Sequence, residues 1–169
     1  MSFLHPTTLT KESFSPFGEL ITLEESEHFA INQGTTERYH ALSEVDVSEQ
    51  SGKAIISLFR GQSFSLPFQL KVMERHPLGS QSFLPVTQND DHSYLVVVAP
   101  SFCKTEDDIV NNLCAFVAKG FTGVTYAKGV WHHPLISLDR VSDFIVIDRK
   151  GPGNNCDEIN LTQKITVKF

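Results

Sequence analysis

The chain has 169 residues, of which 40% are hydrophobic and 20% are charged, as is usual for one folded domain. Its formal net charge of −6, from 14 basic and 20 acidic residues, argues against a general nucleic-acid or anionic-membrane partner. No apolar run approaches the roughly 18 residues of a transmembrane helix. We therefore expect a soluble protein with a single domain over residues 1–169, and no nucleic-acid or membrane partner.

The amino terminus and the cysteines indicate the cellular compartment of the protein. Residues 1–6 lack the basic and apolar regions of a secretory leader. The three cysteines, Cys103, Cys114 and Cys156, are odd in number and show no spacing typical of a disulfide framework. These features predict free thiols in a reducing compartment, and hence a cytoplasmic protein.

Strand signals dominate the chain after a short helix that starts at Thr10 and ends at Pro16. Runs rich in Val, Ile and Phe alternate with clusters of Gly, Pro, Asn and Asp, which is typical of short strands joined by turns. The predicted strands are 19–23, 54–59, 68–76, 82–86, 94–99, 124–127, 134–138, 144–148 and 165–169. This number of short strands indicates a mainly β fold, either a sandwich or a barrel.

One segment departs from the strand pattern. Thr105 precedes three acidic residues, and apolar residues follow at helical spacing as far as Val117. Lys119 and Gly120 then supply a basic last turn and a C-cap. The segment predicts a helix of about three turns that packs on the outside of the β core.

The predicted strand 68–76 carries the first candidate chemistry. Because strand side chains alternate between faces, Glu74 and His76 continue the apolar face of this strand, whereas Arg75 points away. Burying an ionisable pair without partners costs several kcal/mol, so a buried pair implies mutual hydrogen bonding, a metal or catalysis. The alternative is that the end of the strand lies in solvent. A turn at 77–80 would then bring Gln81 close to His76 across a hairpin.

A second polar cluster lies at 128–134. His132 and His133 are adjacent, so they point to opposite faces of a strand and at most one of them enters a given interior. Each is an ordinary structural histidine or a functional one. Trp131, the only tryptophan, stands beside them, and its indole either walls a pocket or lies in the core.

The pattern Glu-x-His-x4-Gln, followed later by Gly-x2-His, resembles the two motifs of the cupin superfamily. In metal-binding cupins these motifs place two histidines and a glutamate, and then one more histidine, around a metal. The matching positions are Glu74, His76, Gln81 and His132, where Glu74 replaces a histidine and Gln81 replaces the glutamate. The amide oxygen of Gln81 is a weak ligand for first-row cations, so this set binds a metal less well than the usual cupin set. A divalent metal is therefore a candidate cofactor that the sequence does not require.

A closer resemblance, to the ureidoglycolate lyases, runs from about residue 10 to residue 160. The segments similar to that family are 74–85, 130–135, 143–149, 31–34, 37–40 and 155–157. The resemblance implies a cupin-type antiparallel β-barrel of jelly-roll kind with a few short flanking helices. It also implies a homodimer that acts in allantoin degradation and splits ureidoglycolate into glyoxylate and urea.

That reaction is an elimination from a carbon that carries a hydroxyl, a ureido nitrogen and a carboxylate. It needs a base for the hydroxyl proton, an acid for the departing nitrogen and a group that holds the carboxylate. A histidine titrates in the right range, and burial can tune a glutamate. Our hypothesis takes His76 or His132 as the base and Glu74 as the residue that orients it or shuttles the proton.

For the carboxylate we favour Arg38, because a guanidinium matches a carboxylate with two parallel hydrogen bonds and Arg38 lies in a polar segment with no evident core role. The alternative for Arg38 is a surface or dimer ion pair. The remaining candidate substrate contacts are Asn32, Gln81, Tyr126 and Trp131.

Two other functions fit the same fold. The chain could be another small-molecule cupin enzyme, such as a metal-dependent oxygenase or isomerase, or a cupin that binds a ligand without catalysis. The presence of Glu74, His76 and His132 together argues against a pocket that has lost its activity.

Overall fold

A computed structural model describes residues 2–87 and 89–169, and no predicted site residue falls outside them. The helices are α1 (Lys11–Phe14) and α2 (Glu106–Asn111), and short 3-10 turns cover Asn32–Gly34 and Glu49–Ser51. The strands are β1 (Ser2–Leu4), β2 (Thr7–Thr8), β3 (Gly18–Ile21), β4 (His28–Ile31), β5 (Thr36–Tyr39), β6 (Lys53–Gly61), β7 (Ser63–Phe64), β8 (Phe68–Gln69), β9 (Val72–Arg75), β10 (Gln81–Pro85), β11 (Ser93–Ala99), β12 (Cys114–Lys119), β13 (Gly123–Tyr126), β14 (Trp131–His132), β15 (Ile136–Leu138), β16 (Ser142–Lys150), β17 (Asp157–Asn160) and β18 (Ile165–Val167). Among these elements there is no helix with the length and hydropathy needed to cross a membrane.

Two large sheets face each other. The first has the strand order β3-β13-β10-β16-β6 and is antiparallel throughout. The second has the order β17-β9-β14-β11-β12-β2, with β15 and β7 alongside β11. The mainly β, antiparallel cupin-type fold is therefore confirmed. The prediction of a closed barrel is wrong over the described residues, because the first sheet ends at β3 and β6 without joining the second.

The sheets enclose one apolar core, and a second core lies behind them. Phe83, Tyr94 and Phe144 belong to the core between the two large sheets. Met73 and Trp131 belong to the second core, on the other face of the larger sheet, where α2 and the small sheet β1-β18-β8 cover it. Strand β11 lies between the cores and is buried on both faces, which explains its continuous apolar run.

Every predicted strand has a counterpart, but the predicted strand 68–76 is split into β8 and β9. Leu70 and Met73 are both fully buried in the second core although they are three residues apart. A regular strand cannot place such residues on one face, so the backbone turns between them. Within β9 the alternation returns, which puts Glu74 on the face opposite Met73.

The predicted helix 105–119 is wrong beyond Asn111. Helix α2 begins as expected, with a capping box in which the Thr105 hydroxyl accepts from the Asp108 backbone N–H. The remainder forms β12, which pairs antiparallel with β11. Phe116 enters the first core and Ala115 the second. Because a strand buried on both faces lacks polar alternation, its apolar spacing matched that of a helix.

His92 is a buried histidine at the edge of the first core, next to Tyr94 and Phe144. Its ring nitrogens find no hydrogen-bond partner within the described ranges. Burial lowers the pKa of His92 below its usual value. Below about pH 6.5 the unfolded state therefore binds more protons than the folded state, so stability falls as the pH drops.

We expect His92→Phe to make the stability less sensitive to acid. The free energy of unfolding, measured with urea at about pH 7.5 and about pH 5, should fall less in the variant than in the wild type. Some sensitivity should remain, because burial also lowers the pKa values of His132 and His133. An equal loss in both proteins would contradict the role given to His92.

Candidate active site

The predicted catalytic residues meet where one end of the larger sheet faces the smaller one. Glu74 on β9 stands directly opposite His132 on β14, so their side chains share a face. Gln81 on β10 stands opposite Tyr126 on β13 in the facing sheet. His76 follows β9 and lies between the two pairs. The structure thus brings together these five residues, all of which the sequence analysis selected.

The closest approach of acid and base groups is between Glu74 and His132. Glu74 Oε1 lies 3.5 Å from His132 Nε2, and His132 is only 1% exposed. His132 Nδ1 lies 3.1 Å from the Val130 carbonyl oxygen, to which it donates its proton. The lone pair of Nε2 therefore faces the carboxylate, and Nε2 has no hydrogen-bond partner among the described residues. Two acceptors so close together, one buried and one half-buried, call for a proton, a cation or a ligand hydroxyl that donates to one of them.

His76 has a hydrogen-bond partner at each ring nitrogen. Its Nδ1 lies 2.7 Å from the Asn155 carbonyl oxygen, and its Nε2 lies 3.1 Å from Gln81 Oε1. The predicted proximity of Gln81 and His76 is confirmed. The predicted hairpin is wrong, because β9 and β10 belong to different sheets and Gln81 reaches His76 from the facing sheet. The two contacts fix the orientation of the His76 ring beside Glu74 and His132.

Burial and the facing charges set the protonation states. Burial lowers the pKa of His132, which keeps that imidazole neutral at neutral pH. Burial pushes the pKa of Glu74 upward, but the facing His132 and the neighbouring histidines favour the carboxylate and leave the pKa below its usual value. Burial raises the pKa of Tyr126, whose ring stacks on His132 at 4.3 Å. The site thus combines a carboxylate, a neutral imidazole and a proton donor.

The same residues fit a divalent metal ion. Ligand atoms of Glu74, His76 and His132 all lie within 4.8 Å of one another. The unpartnered Nε2 of His132 is a ready ligand, and imidazole with carboxylate suits several first-row cations. Gln81, the fourth candidate ligand, has its amide oxygen on His76 instead.

The sequence analysis missed residues that line a small cavity next to His76 and Gln81. Asp148 and Asn155 are among them, with Cys156 at its exposed side. Burial raises the pKa of Asp148, and its Oδ1 is buried without a partner in the described structure. Asp148 continues the inward face of β16, so strand alternation was the signal that pointed to it. The loop that carries Asn155 shows no such pattern.

Trp131 is not brought to the site. It points from β14 into the second core, and its indole N–H donates to the Cys103 carbonyl oxygen at 2.9 Å. The guanidinium of Arg75 lies over the indole at 4.6 Å and pairs with Asp157. Arg75 therefore points away from Glu74, as predicted, whereas the proposed pocket wall at Trp131 is not formed.

Arg38 and Asn32 also lie apart from the site within one chain. Arg38 is on β5, and Asn32 is in the turn between β4 and β5. Both side chains are exposed, and the β4-β5 hairpin forms a sheet of its own.

Comparison with known proteins gives a consistent result over nearly the whole chain. Residues 1–168 match the sequence model of the family described as ureidoglycolate lyase. A ureidoglycolate lyase of Burkholderia cepacia is 50% identical over 161 residues, which cover 95% of this chain and 88% of that protein. One of Burkholderia mallei (strain NCTC 10229) is 48% identical over 165 residues, covering 98% and 93%. One of Pseudomonas syringae pv. tomato is 47% identical over 150 residues, covering 89% and 85%. With its histidines and glutamate gathered at one site, this chain belongs to the ureidoglycolate lyase family of enzymes.

Proposed function

We propose that this protein eliminates urea from ureidoglycolate and leaves glyoxylate, a step of allantoin degradation. One observation carries the chemical part of the proposal. The unpartnered Nε2 of His132 faces the Glu74 carboxylate at 3.5 Å, beside the imidazole of His76, which Asn155 and Gln81 hold in place. A substrate hydroxyl at this position would donate its proton to His132 Nε2.

The proposed reaction assigns one task to each side chain. His132 Nε2 takes the hydroxyl proton, and Glu74 stabilises the imidazolium that results. A carbon–oxygen double bond forms as the carbon–nitrogen bond breaks, and the electron pair goes to the urea nitrogen. His76 protonates that nitrogen. A well-placed acid or base of this kind contributes about 10²–10⁴-fold to the rate.

The protons balance without water as a reactant. After one turnover His132 holds one proton more and His76 holds one fewer. The Glu74 carboxylate lies within 4.8 Å of both imidazoles, so it can pass the proton back. Glu74, His76 and His132 would also hold a divalent metal, which polarises a hydroxyl or carboxylate when bound.

A homodimer and a cytoplasmic location belong to the same proposal. Ile56 and Leu58 on the edge strand β6 are exposed, as are Val86 and Phe121, which line one surface depression. Exposed apolar groups of this kind mark interaction surfaces, and unpaired edge strands invite pairing. The three cysteines are free thiols, which supports a reducing compartment.

The function is tested by incubating the purified protein with ureidoglycolate and measuring glyoxylate, urea and ammonia, with and without a chelator. Equal amounts of glyoxylate and urea without ammonia are expected. Ammonia in place of urea would instead indicate an amidohydrolase. No turnover in either condition would contradict the enzyme assignment and favour a ligand-binding cupin. Activity lost to the chelator and restored by one divalent metal would show that the reaction depends on a metal, for which these three side chains are the candidate ligands.

A further inference from the structure

A projecting hairpin, which we call the arm, consists of residues 28–39 and contains β4 and β5. In the part of the chain that the structure describes, these strands pair only with each other. Residues 28–30 and 32–39 are exposed, including Phe29 and Tyr39, which are each 39% exposed. An isolated two-stranded hairpin is marginally stable in water. The arm therefore lacks the cover that such a hairpin requires.

To bind the proposed substrate, the active site needs a cationic side chain that holds the substrate carboxylate. Arg75 stacks on Trp131 and pairs with Asp157, on the far side of the sheet. The guanidinium of Arg149 donates to the carbonyl oxygens of Glu49 and Pro152. Among the described residues, the arginines nearest the site are therefore already engaged.

The lysine next to the site is engaged as well. Lys128 Nζ lies 2.7 Å from Glu49 and 3.5 Å from Asp46. Acidic groups remain around the site instead, with Glu74 inside it and Glu158 opposite Glu74 on β17. The carboxylates of the site repel the carboxylate of the substrate. A cation at the rim of the site would offset this repulsion and favour substrate binding.

Arg38 is a cation without an acidic partner. It forms none of the ion pairs found in the described structure, and its guanidinium carbon lies 6.0 Å from the Phe29 ring centre. The chain that follows the arm is anchored on the smaller sheet, because Ser43 Oγ is 2.6 Å from Thr125 Oγ1, on the face of β13 opposite to Tyr126. A four-residue strand is roughly 13 Å long, so the arm is long enough to reach a neighbouring molecule.

We propose that the arm of each copy docks on a second copy of this chain and that its Arg38 binds the substrate carboxylate in the site of that copy. This inference rests on the proposed function. A two-fold dimer makes the same contact twice, so each arm docks on the other protomer. Both arms are then covered, and both active sites receive an Arg38. The guanidinium then faces an acidic site and binds the carboxylate with two parallel hydrogen bonds.

Mixed dimers test whether Arg38 acts across the interface. Arg38→Ala removes the cation of the arm, and Glu74→Gln removes a group of the site. Each homodimer should show kcat/KM reduced by roughly 10²-fold or more. If the arms are exchanged, a mixed dimer has one site with both residues intact. Random mixing makes half of the dimers mixed, so co-expression at equal levels should restore about a quarter of wild-type activity.

The outcomes separate this inference from the proposed function. If the wild type is active but the mixture stays at the level of the two variants, Arg38 does not act across the interface and the inference is overturned. Full activity of Arg38→Ala alone overturns it too. The matched control is Arg60→Ala on β6, another exposed arginine, which should leave kcat and KM unchanged.

The molecular mass of the protein in solution tests the docking of the arm independently of any substrate. Light scattering should show a dimer for the wild type and a shift towards monomer for Phe29→Asp. A monomeric wild type, or a Phe29→Asp variant that remains fully dimeric, would overturn the inference even if the proposed reaction is confirmed. If the wild type is dimeric and loses its dimer in Phe29→Asp but shows no turnover, the docking of the arm stands, while the proposed function and the role of Arg38 towards its substrate fail.

Discussion

Glu74→Gln is expected to lower kcat by roughly 10²–10⁴-fold while the fold stays intact. The amide has nearly the shape of the carboxylate, but it cannot stabilise a protonated His132. Its NH2 group would also donate to His132 Nε2, which lies 3.5 Å from the present carboxylate oxygen, and would so occupy the lone pair that takes the hydroxyl proton. Steady-state kinetics with ureidoglycolate, together with the thermal midpoint of unfolding, measures both effects.

Glu158→Gln is the matched control for this variant. Glu158 is exposed on β17 and stands opposite Glu74 in the sheet register, so the substitution removes the same charge from the same region. It does not remove the group that faces His132. A kcat close to wild type in Glu158→Gln and a much lower one in Glu74→Gln would assign the effect to the Glu74–His132 contact. Similar kcat values in the two variants would contradict it.

The assembly of Glu74, His76, Gln81 and His132 was predictable because it depends on short-range features. Strand alternation put Glu74 and His76 on one face, and the motif spacing put Gln81 near His76. What the sequence did not reveal was the sheet to which each strand belongs. Gln81 reaches His76 from the facing sheet, a tertiary arrangement that a turn of four residues does not encode.

The errors in the prediction have a common physical cause, which is that the molecule has two apolar cores. With a core on each side of the larger sheet, an apolar side chain is buried whichever way it points. Trp131 therefore gave no sign of which core it enters, and β12 showed no polar face to distinguish it from a helix. The arm poses the reverse problem, because its exposed side chains acquire a role only through a second molecule.

The second large effect is expected at Arg149, a buried arginine that lines the cavity beside His76 and holds the adjacent loops. It is 7% exposed, and Nε and Nη2 lie 3.1 and 2.7 Å from the Glu49 carbonyl oxygen, with Nη2 also 2.8 Å from that of Pro152. Gly79 leaves room for this side chain, since an added Cβ would lie 2.9 Å from Arg149 Cβ. We expect Arg149→Met to lower the free energy of unfolding by about 3 kcal/mol, because the apolar stem remains while the carbonyls lose charged donors.

Urea unfolding of Arg149→Met and of a control, Arg60→Met, measures this loss. Arg60 is an exposed arginine paired with Asp143, so its replacement should change stability little. The Arg149 variant should also have a lower kcat in its folded fraction. The loop it holds is tied at Asp46 to Ser80, through backbone and hydroxyl hydrogen bonds of 2.7 and 2.9 Å, and Ser80 directly precedes Gln81. Loosening that loop releases the turn that sets Gln81 against His76. Equal stabilities of the two variants would show that Arg149 does not anchor these loops.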